Sequence, residues 1–147
     1  LQCAAYRGYI DPADARFLKP NTYDNLMTDR IDAWCREHDL PKPSSNGEYM
    51  VAIYRGLAKA YAKAISDLES VIGKKFTALH IIGGGCKNEI LDQWAASETG
   101  LTVYAGPVEA TALGNLVVQA WATGELESLQ DGRDRIKREQ KVKIFRP

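Results

Sequence analysis

Residues 76–88 read FTALHIIGGGCKN, and this stretch decides the fold. Its first part, residues 76–82, is a short apolar run that predicts a β-strand, because it is too short for a helix. Three glycines follow at 83–85, where the chain must turn. A helix is predicted from about Lys87 to Glu98, with Gly100 as its stop. The stretch therefore predicts a strand, a glycine turn and a helix in succession.

The same order of elements continues on both sides of this stretch. Downstream, residues 101–105 predict a second strand, Gly106-Pro107 a turn, and residues 109–123 a helix. Upstream, a long helix is predicted from about Gly47 to Ile72. This alternation of helices and strands is typical of an α/β fold in which the two strands are parallel.

The long helix carries the clearest hydrophobic pattern of the chain. Ser45 and Glu48 form a predicted capping box at its start, and Gly73 is a suitable left-handed stop. Two further helices are predicted, one from about Thr22 to His38 and a short last one capped by Ser128. The apolar stripe of the long helix consists of Met50, Ile53, Tyr54, Leu57, Tyr61, Ile65, Leu68 and Ile72.

Composition narrows the function classes. The 147 residues, predicted to form a single domain (1–147), contain 19 Lys plus Arg and 19 Asp plus Glu, which argues against a nucleic-acid binder. No apolar run is long enough for a membrane span. The three separated cysteines indicate neither a disulfide framework nor a zinc site, so a reduced, cytoplasmic setting is expected. Because the sequence starts with Leu1, we expect it to be a piece of a longer chain.

The glycine turn is the main candidate for ligand binding. Glycines at 83–85 let a ligand approach the main chain closely, and the next helix offers unpaired N–H groups. Asn88 adds a side-chain donor and an acceptor. The segment suits a phosphate or a flat purine, although a tight turn without any ligand explains the glycines equally well.

Other chemistry is less well supported. Asn88 stands where a dinucleotide fingerprint needs its third glycine, and the P-loop pattern is absent. Residues 106–115 (GPVEATALGN) form a second glycine turn before a helix, for which close helix packing is at least as good an explanation as ligand contact. His80 lies in an apolar strand and is expected in the core. Neither a nucleophilic triad nor a metal-ligand cluster is evident, so no catalytic or metal-binding residue is predicted.

Residues 81–115 (IIGGGCKNEILDQWAASETGLTVYAGPVEATALGN) resemble the C-terminal domain of the FGGY family of carbohydrate kinases. The upstream segment 10–18 (IDPADARFL) and the 106–115 segment are similar to the subgroup that phosphorylates L-rhamnulose. The resemblance covers roughly residues 7–140. It implies part of an actin/hexokinase-like (ribonuclease H-like) domain, in which long helices pack on a short sheet with parallel strands.

The resemblance also implies an activity and a site. The whole enzyme would transfer the γ-phosphate of ATP, with Mg²⁺, to the hydroxyl at carbon 1 of L-rhamnulose. By position in the family motif, Gly84 would be the main backbone contact of the adenosine. The surrounding contacts would be Gly83, Gly85 and Asn88.

The resemblance is incomplete in one respect. Such kinases are about three times longer, and their catalytic base and phosphate loop lie mostly upstream. Asp11, Asp14 and Asp92 do not occupy the matching motif, so this chain alone is expected to be inactive. We expect it to self-associate or to pair with the missing N-terminal part, and to bind neither nucleic acid nor membranes. The alternatives are a non-catalytic ATP-binding or interaction module and, less favoured, a nicotinamide-dependent dehydrogenase.

Overall fold

The structure, a computed structural model, describes residues 5–19 and 26–147. The chain divides into two compact units, Leu1–Lys75 and Phe76–Pro147, and each is described here by itself. The single domain predicted for residues 1–147 stays a prediction.

The first unit contains two helices. Helix α1 spans Met27–Glu37 and buries Ile31, Trp34 and Cys35, as its hydrophobic spacing predicts. The predicted start of this helix, residues 22–25, lies outside the described residues. Helix α2 spans Asn46–Ile72 and is 27 residues long.

The ends of α2 follow the predicted capping signals. The hydroxyl of Ser45 accepts a hydrogen bond from the backbone N–H of Glu48. The capping box predicts that the Glu48 carboxylate bonds to Ser45. It bonds instead to the residue before, and accepts hydrogen bonds from the N–H and the hydroxyl of Ser44. Gly73 ends the helix with a φ of 66°, in the left-handed region that favours glycine.

The predicted apolar stripe of α2 is only partly correct. Met50, Leu68 and Ile72 are 43%, 54% and 48% exposed. The buried face of α2 lies instead at a close backbone approach, where the N–H of Ile10 donates to the carbonyl oxygen of Ala52. The small side chains of α2 allow the two backbones to come this close. A pattern of large apolar residues does not include these small ones. The buried residues of α2 are Val51, Ala52, Gly56 and Ala58.

A polar cluster joins α1, α2 and the loop between them. Asp32 of α1 accepts a hydrogen bond from the Tyr49 hydroxyl at 2.7 Å and pairs with Lys42 at 2.7 Å. Burial raises the pKa of Asp32, but the hydrogen bonds from Lys42 and Tyr49 outweigh burial and hold it below its ordinary value. The hydrogen bond to Asp32 raises the pKa of Tyr49 to about 12.

The second unit alternates strands and helices. Strand β1 (Ala78–Ile81) leads through a 3₁₀ helix (Gly83–Lys87) into α3 (Glu89–Thr99), and β2 (Thr102–Ala105) leads into α4 (Ala110–Ala122). Each predicted element of this region is present, with its ends shifted by no more than about two residues. The predicted last helix is α5 (Leu129–Glu139), where Ser128 accepts from the N–H of Asp131. Strand β3 (Lys143–Phe145) ends the unit.

The sheet corrects the predicted fold class in one respect. Its strand order is β1-β2-β3, and β1 pairs with β2 in parallel as predicted. However, β3 pairs antiparallel with β2, so the sheet is mixed and has three strands. The strand at 143–145 was not predicted, because three residues that begin with Lys143 and are followed by Arg146 are too few to show an alternating pattern. The α/β class itself is confirmed.

The two faces of this sheet differ. Helix α3 covers the sheet face that carries Lys143, because Lys143 pairs with Glu89 of α3. The same face carries Ala105, which is the register partner of Lys143, and the buried Val103. The opposite face carries His80 and Tyr104, whose rings stack with centroids 5.0 Å apart. His80 is exposed, so the predicted core position is wrong.

Helix α4 is unusual in its surface. None of its 13 residues is charged, and none is buried. Leu116, Val118 and Trp121 are 61%, 51% and 48% exposed. Its other side packs on α5, where Gly132 leaves room for Val117. Within residues 5–19 and 26–147, the structure contains no helix with the length and apolar character that a membrane crossing requires.

Candidate functional site

Two turns of the second unit meet at one edge of the sheet. The triple-glycine turn (residues 83–85) follows β1, and the Gly-Pro turn (residues 106–107) follows β2. The N–H of Gly106 donates to the carbonyl oxygen of Ile81 at 2.8 Å, and the N–H of Gly83 donates to that of Pro107 at 3.2 Å. The fold therefore brings together the two glycine segments that sequence analysis treated as separate candidates. Ligands of α/β sheets commonly bind at such carboxyl ends of parallel strands.

The three glycines have different structural reasons. Gly83 has a φ of 74°, so its backbone conformation alone favours glycine. A Cβ on Gly85 would make ordinary contact with Ile81 at 3.6 Å. That contact does not require glycine, and Gly84 is more open still: its φ is not positive, it is exposed, and a Cβ there would meet no described atom within 4 Å. The fold does not need a glycine at 84, and the main chain there is open to a ligand.

Asn88 has a local structural role. Its side-chain oxygen accepts a hydrogen bond from the N–H of Leu91 at 3.2 Å, which makes it the N-cap of α3. The helix begins at Glu89, about two residues later than predicted, because residues 83–87 form the 3₁₀ helix first. The cap uses the oxygen of the amide group and not its –NH₂ group. Asn88 thus lies next to the triple-glycine turn, as predicted, and orients the helix that follows it.

Two further side chains hold this region together. Cys86 is buried, and its thiol donates to the carbonyl oxygen of Gly83 at 2.9 Å. Glu89, in the first turn of α3, forms an ion pair with Lys143 of β3. The hydrogen bond with Glu89 raises the pKa of Lys143. The pairing of Lys143 was not predicted, because it depends on strand β3, which the sequence pattern does not indicate.

Asp92 is the least expected residue of the region. It lies one turn after Asn88 in α3, is 0% exposed, and neither of its carboxylate oxygens has a hydrogen-bond partner among the described residues. Burial raises its pKa, the nearby Glu89 raises it further, and Lys143 lowers it by less. The sequence does contain a signal, since Asp92 shares its helical face with Ala95 and Ala96.

A cavity of about 800 Å³ lies between α5 and the exposed sheet face of the second unit. It reaches the Gly-Pro turn, but none of the four predicted site residues lines it. Its size falls within the range of about 300–1,000 Å³ that is usual for ligand pockets. The lining is formed by His80, Tyr104, Gly106, Pro107, Arg133, Ile136, Lys137, Gln140, Val142 and Ile144.

The described residues contain neither a metal-ligand cluster nor a disulfide bond. Across 5–19 and 26–147, no three His, Cys, Asp or Glu side chains are grouped in a way that could hold a metal ion. Cys35 and Cys86 are free and buried, and Cys3 lies outside the described part of the chain.

Comparison with known proteins adds a family to this geometry. Residues 3–123 match the family model of the C-terminal domain of the FGGY family of carbohydrate kinases. A rhamnulokinase of Halalkalibacterium halodurans is 40% identical over 129 residues, which cover 88% of this chain and 27% of that protein. A rhamnulokinase of Enterobacter sp. (strain 638) is 40% identical over 144 residues, which cover 98% of this chain and 29% of that protein.

The chain spans less than a third of the length of the curated relatives that it matches. The matched segment includes both turns, the whole of α3 and the whole of α4. The match extends over most of the sequence, and the chain therefore belongs to the FGGY family of carbohydrate kinases, to the C-terminal domain of that family.

Proposed function

We propose that this chain is the ATP-binding portion of a sugar kinase. The whole kinase would transfer the γ-phosphate of ATP to L-rhamnulose and form L-rhamnulose 1-phosphate in rhamnose catabolism. The names of the two relatives support this substrate, and the family supports the reaction class. We further propose that the second unit belongs to an actin/hexokinase-like domain whose other strands are supplied by the rest of the kinase.

The open main chain at Gly84 is the observation on which the proposed nucleotide site depends. Backbone conformation explains Gly83, but neither conformation nor crowding explains Gly84. A flat adenosine can lie against a backbone that has no side chain, and a side chain at 84 would occupy that space. The tight-turn explanation accounts for Gly83 alone, so the ligand explanation is favoured at Gly84.

The proposal gives a role to each of the four predicted site residues. Gly84 and Gly85 provide the exposed surface on which the adenosine lies, and Gly83 sets the direction of the turn. Asn88 fixes the start of α3 beside the ligand. In the whole kinase, ATP would supply the phosphoryl group and Mg²⁺ would neutralise its charge. The described residues contain no group of three His, Cys, Asp or Glu side chains that could hold a metal ion, and we assign no residue of this chain to Mg²⁺.

We assign no catalytic base within this chain. Asp11 accepts a hydrogen bond from the N–H of Ala13, Asp14 pairs with Arg16, and Asp92 is fully buried. We therefore expect the isolated chain to show no ATP turnover that depends on L-rhamnulose. A coupled assay of ADP release tests this expectation. Measurable sugar-dependent turnover would overturn the proposal that the catalytic base lies outside this chain.

Nucleotide titrations test the binding proposal directly. The isolated chain should bind a fluorescent ATP analogue, and unlabelled ATP should displace that analogue whereas NADH should not. Tighter binding of NADH than of ATP would favour a dehydrogenase domain instead. Binding of ATP by a full-length protein that phosphorylates no sugar would favour a non-catalytic module.

We also propose a partner for the exposed apolar surface of the second unit. Leu116, Val118 and Trp121 of α4 are about half exposed or more, and β1 lies at the edge of the sheet in the described part of the chain. The occupant we propose is the rest of the kinase, in the cytoplasm, where the free thiols would stay reduced. The isolated chain should then self-associate, and light scattering that shows a clean monomer would contradict this expectation.

A further inference from the structure

The carboxyl group of Asp92 is buried without a partner next to the proposed nucleotide site. Its side chain is 0% exposed, and both of its oxygens lack hydrogen bonds within the described chain. An ionised carboxylate in such a place has a high free energy, because it has lost water and gained no donor in exchange. The folded second unit therefore favours the neutral carboxylic acid.

The charged and titratable groups around Asp92 do not compensate its charge. On its own helix, Glu89 carries a like charge. From β3, Lys143 faces α3, but its ammonium group is already paired with Glu89. From the 3₁₀ helix, the Cys86 thiol donates to the carbonyl oxygen of Gly83 and not to Asp92. From β2, only Tyr104 is titratable, and it lies on the opposite face of the sheet.

Asp92 is connected to the triple-glycine turn through the backbone. Its N–H donates to the carbonyl oxygen of Asn88 at 2.9 Å, and the N–H of Asn88 donates to that of Gly85 at 3.0 Å. Asp92 lies in the first turn of α3, so solvation of its carboxylate acts on that turn. That turn includes the Asn88 cap, and the cap is continuous with residues 83–85.

We propose that Asp92 is a positioning residue that makes the triple-glycine turn sensitive to pH. When Asp92 is neutral, α3 keeps its first turn closed and the glycine backbone is held in place. When Asp92 ionises, the turn loosens, and a second negative charge beside Glu89 also disfavours the anionic nucleotide. Nucleotide affinity should therefore fall as pH rises through the ionisation of Asp92. This inference rests on the proposed ATP site for its consequence, but not for the ionisation itself.

The first test follows the turn without any nucleotide. Backbone amide NMR signals of Gly83, Gly84 and Gly85 are recorded against pH in the wild type, in Asp92→Asn and in Asp134→Asn. Asp134 is an exposed carboxylate on α5 and serves as the matched control. The wild type and the control should show a common titration step that Asp92→Asn lacks. A step that persists unchanged in Asp92→Asn overturns the proposal.

The second test measures affinity for an ATP analogue over the same pH range. In the wild type the affinity should fall about threefold to tenfold across the Asp92 step, which corresponds to half to one pKa unit of coupling. In Asp92→Asn, which imitates the neutral acid, it should stay level. If the glycine amide signals show the pH step but the chain binds no ATP, the proposed function is rejected and the pH sensitivity of the turn is supported. If the wild type binds ATP with an affinity that does not change with pH, the coupling is rejected.

A direct measurement keeps the proposal testable if Asp92→Asn does not fold. The ¹³C shift of the Asp92 carboxyl group in the wild type reports its own ionisation. A midpoint clearly above 3.8, the ordinary value of an aspartate, is expected. A midpoint at or below that value means that the carboxylate is charged in the folded chain, and this would overturn the inference.

Discussion

The carbonyl oxygen of Ile10 lies only 2.2 Å from the point that a Cβ atom on Gly56 would occupy. The extended segment that contains Ile10 therefore packs its backbone directly on α2. Gly56 is required here for space and not for conformation, since it lies inside a regular helix. A methyl group on residue 56 would therefore clash with the backbone of Ile10.

Gly56→Ala should destabilise the chain by about 1–3 kcal/mol or more, because a backbone carbonyl cannot give way as a flexible side chain can. Gly114→Ala in α4 is the matched control, since a Cβ there meets no described atom within 4 Å. The control should be neutral or should stabilise by up to about 1 kcal/mol, through helix propensity. Urea unfolding of both variants measures this difference. Equal free energies of unfolding for the two variants would contradict the close approach of Ile10 to Gly56.

Gly132→Ala should weaken the packing of α5 on α4. Its Cβ would lie 2.4 Å from Cγ1 of Val117, a side chain with little rotamer freedom. We expect a loss of about 1–3 kcal/mol in the free energy of unfolding. The double variant Gly132→Ala/Val117→Ala should recover part of this loss, and a double-mutant cycle with no coupling would show that the two residues do not meet.

Gly84→Val should reduce ATP affinity at least about tenfold, or about 1.4 kcal/mol, while leaving the helical circular dichroism unchanged. The physical reason is that the valine side chain fills space where adenosine would lie, while its Cβ meets no described protein atom within 4 Å. Gly114→Val is the control for adding the same side chain in open space elsewhere. Unchanged affinity in Gly84→Val would remove the triple-glycine turn from the proposed site.

Asp32 should contribute to stability at neutral pH and lose that contribution in acid. Its pKa in the folded chain is below the ordinary value of 3.8, so its stabilisation is present above that value and disappears as pH falls through the folded pKa. Asp32→Asn should therefore lower Tm at neutral pH and flatten its acid dependence. Tyr49→Phe, which removes one of two partners, should give a smaller effect of the same sign. Melting curves recorded between acid and neutral pH would contradict this if Asp32→Asn kept the wild-type profile.

Local signals predicted the elements of the second unit well. Glycine at 83, 100 and 106 marks positions with positive φ, and Ser128 caps a helix as its spacing predicts. These features depend on a few neighbouring residues, so a single sequence contains them. The fold class and the position of the triple-glycine turn at a strand end follow from the same signals.

Long-range contacts could not be predicted in the same way. The burial of Gly56 depends on Ile10, which lies far away in the sequence, and the pairing of β3 depends on β2. Asp92 looks like an ordinary helix residue until α3 is placed on the sheet. The roles of Gly84 and Asn88 in nucleotide binding stay predictions, although the open backbone at Gly84 agrees with them.

The two hydrogen bonds that cross between the triple-glycine turn and the Gly-Pro turn have a mechanical consequence. Neither turn can shift alone, since the N–H of Gly83 is bound to the carbonyl of Pro107 and the N–H of Gly106 to that of Ile81. Hydrogen–deuterium exchange at Gly83 and Gly106 should accordingly rise and fall together. A ligand that holds the triple-glycine turn in place would then also hold Pro107. The position of Pro107 affects α4 directly, because the two are joined by the main chain and not only by side-chain packing.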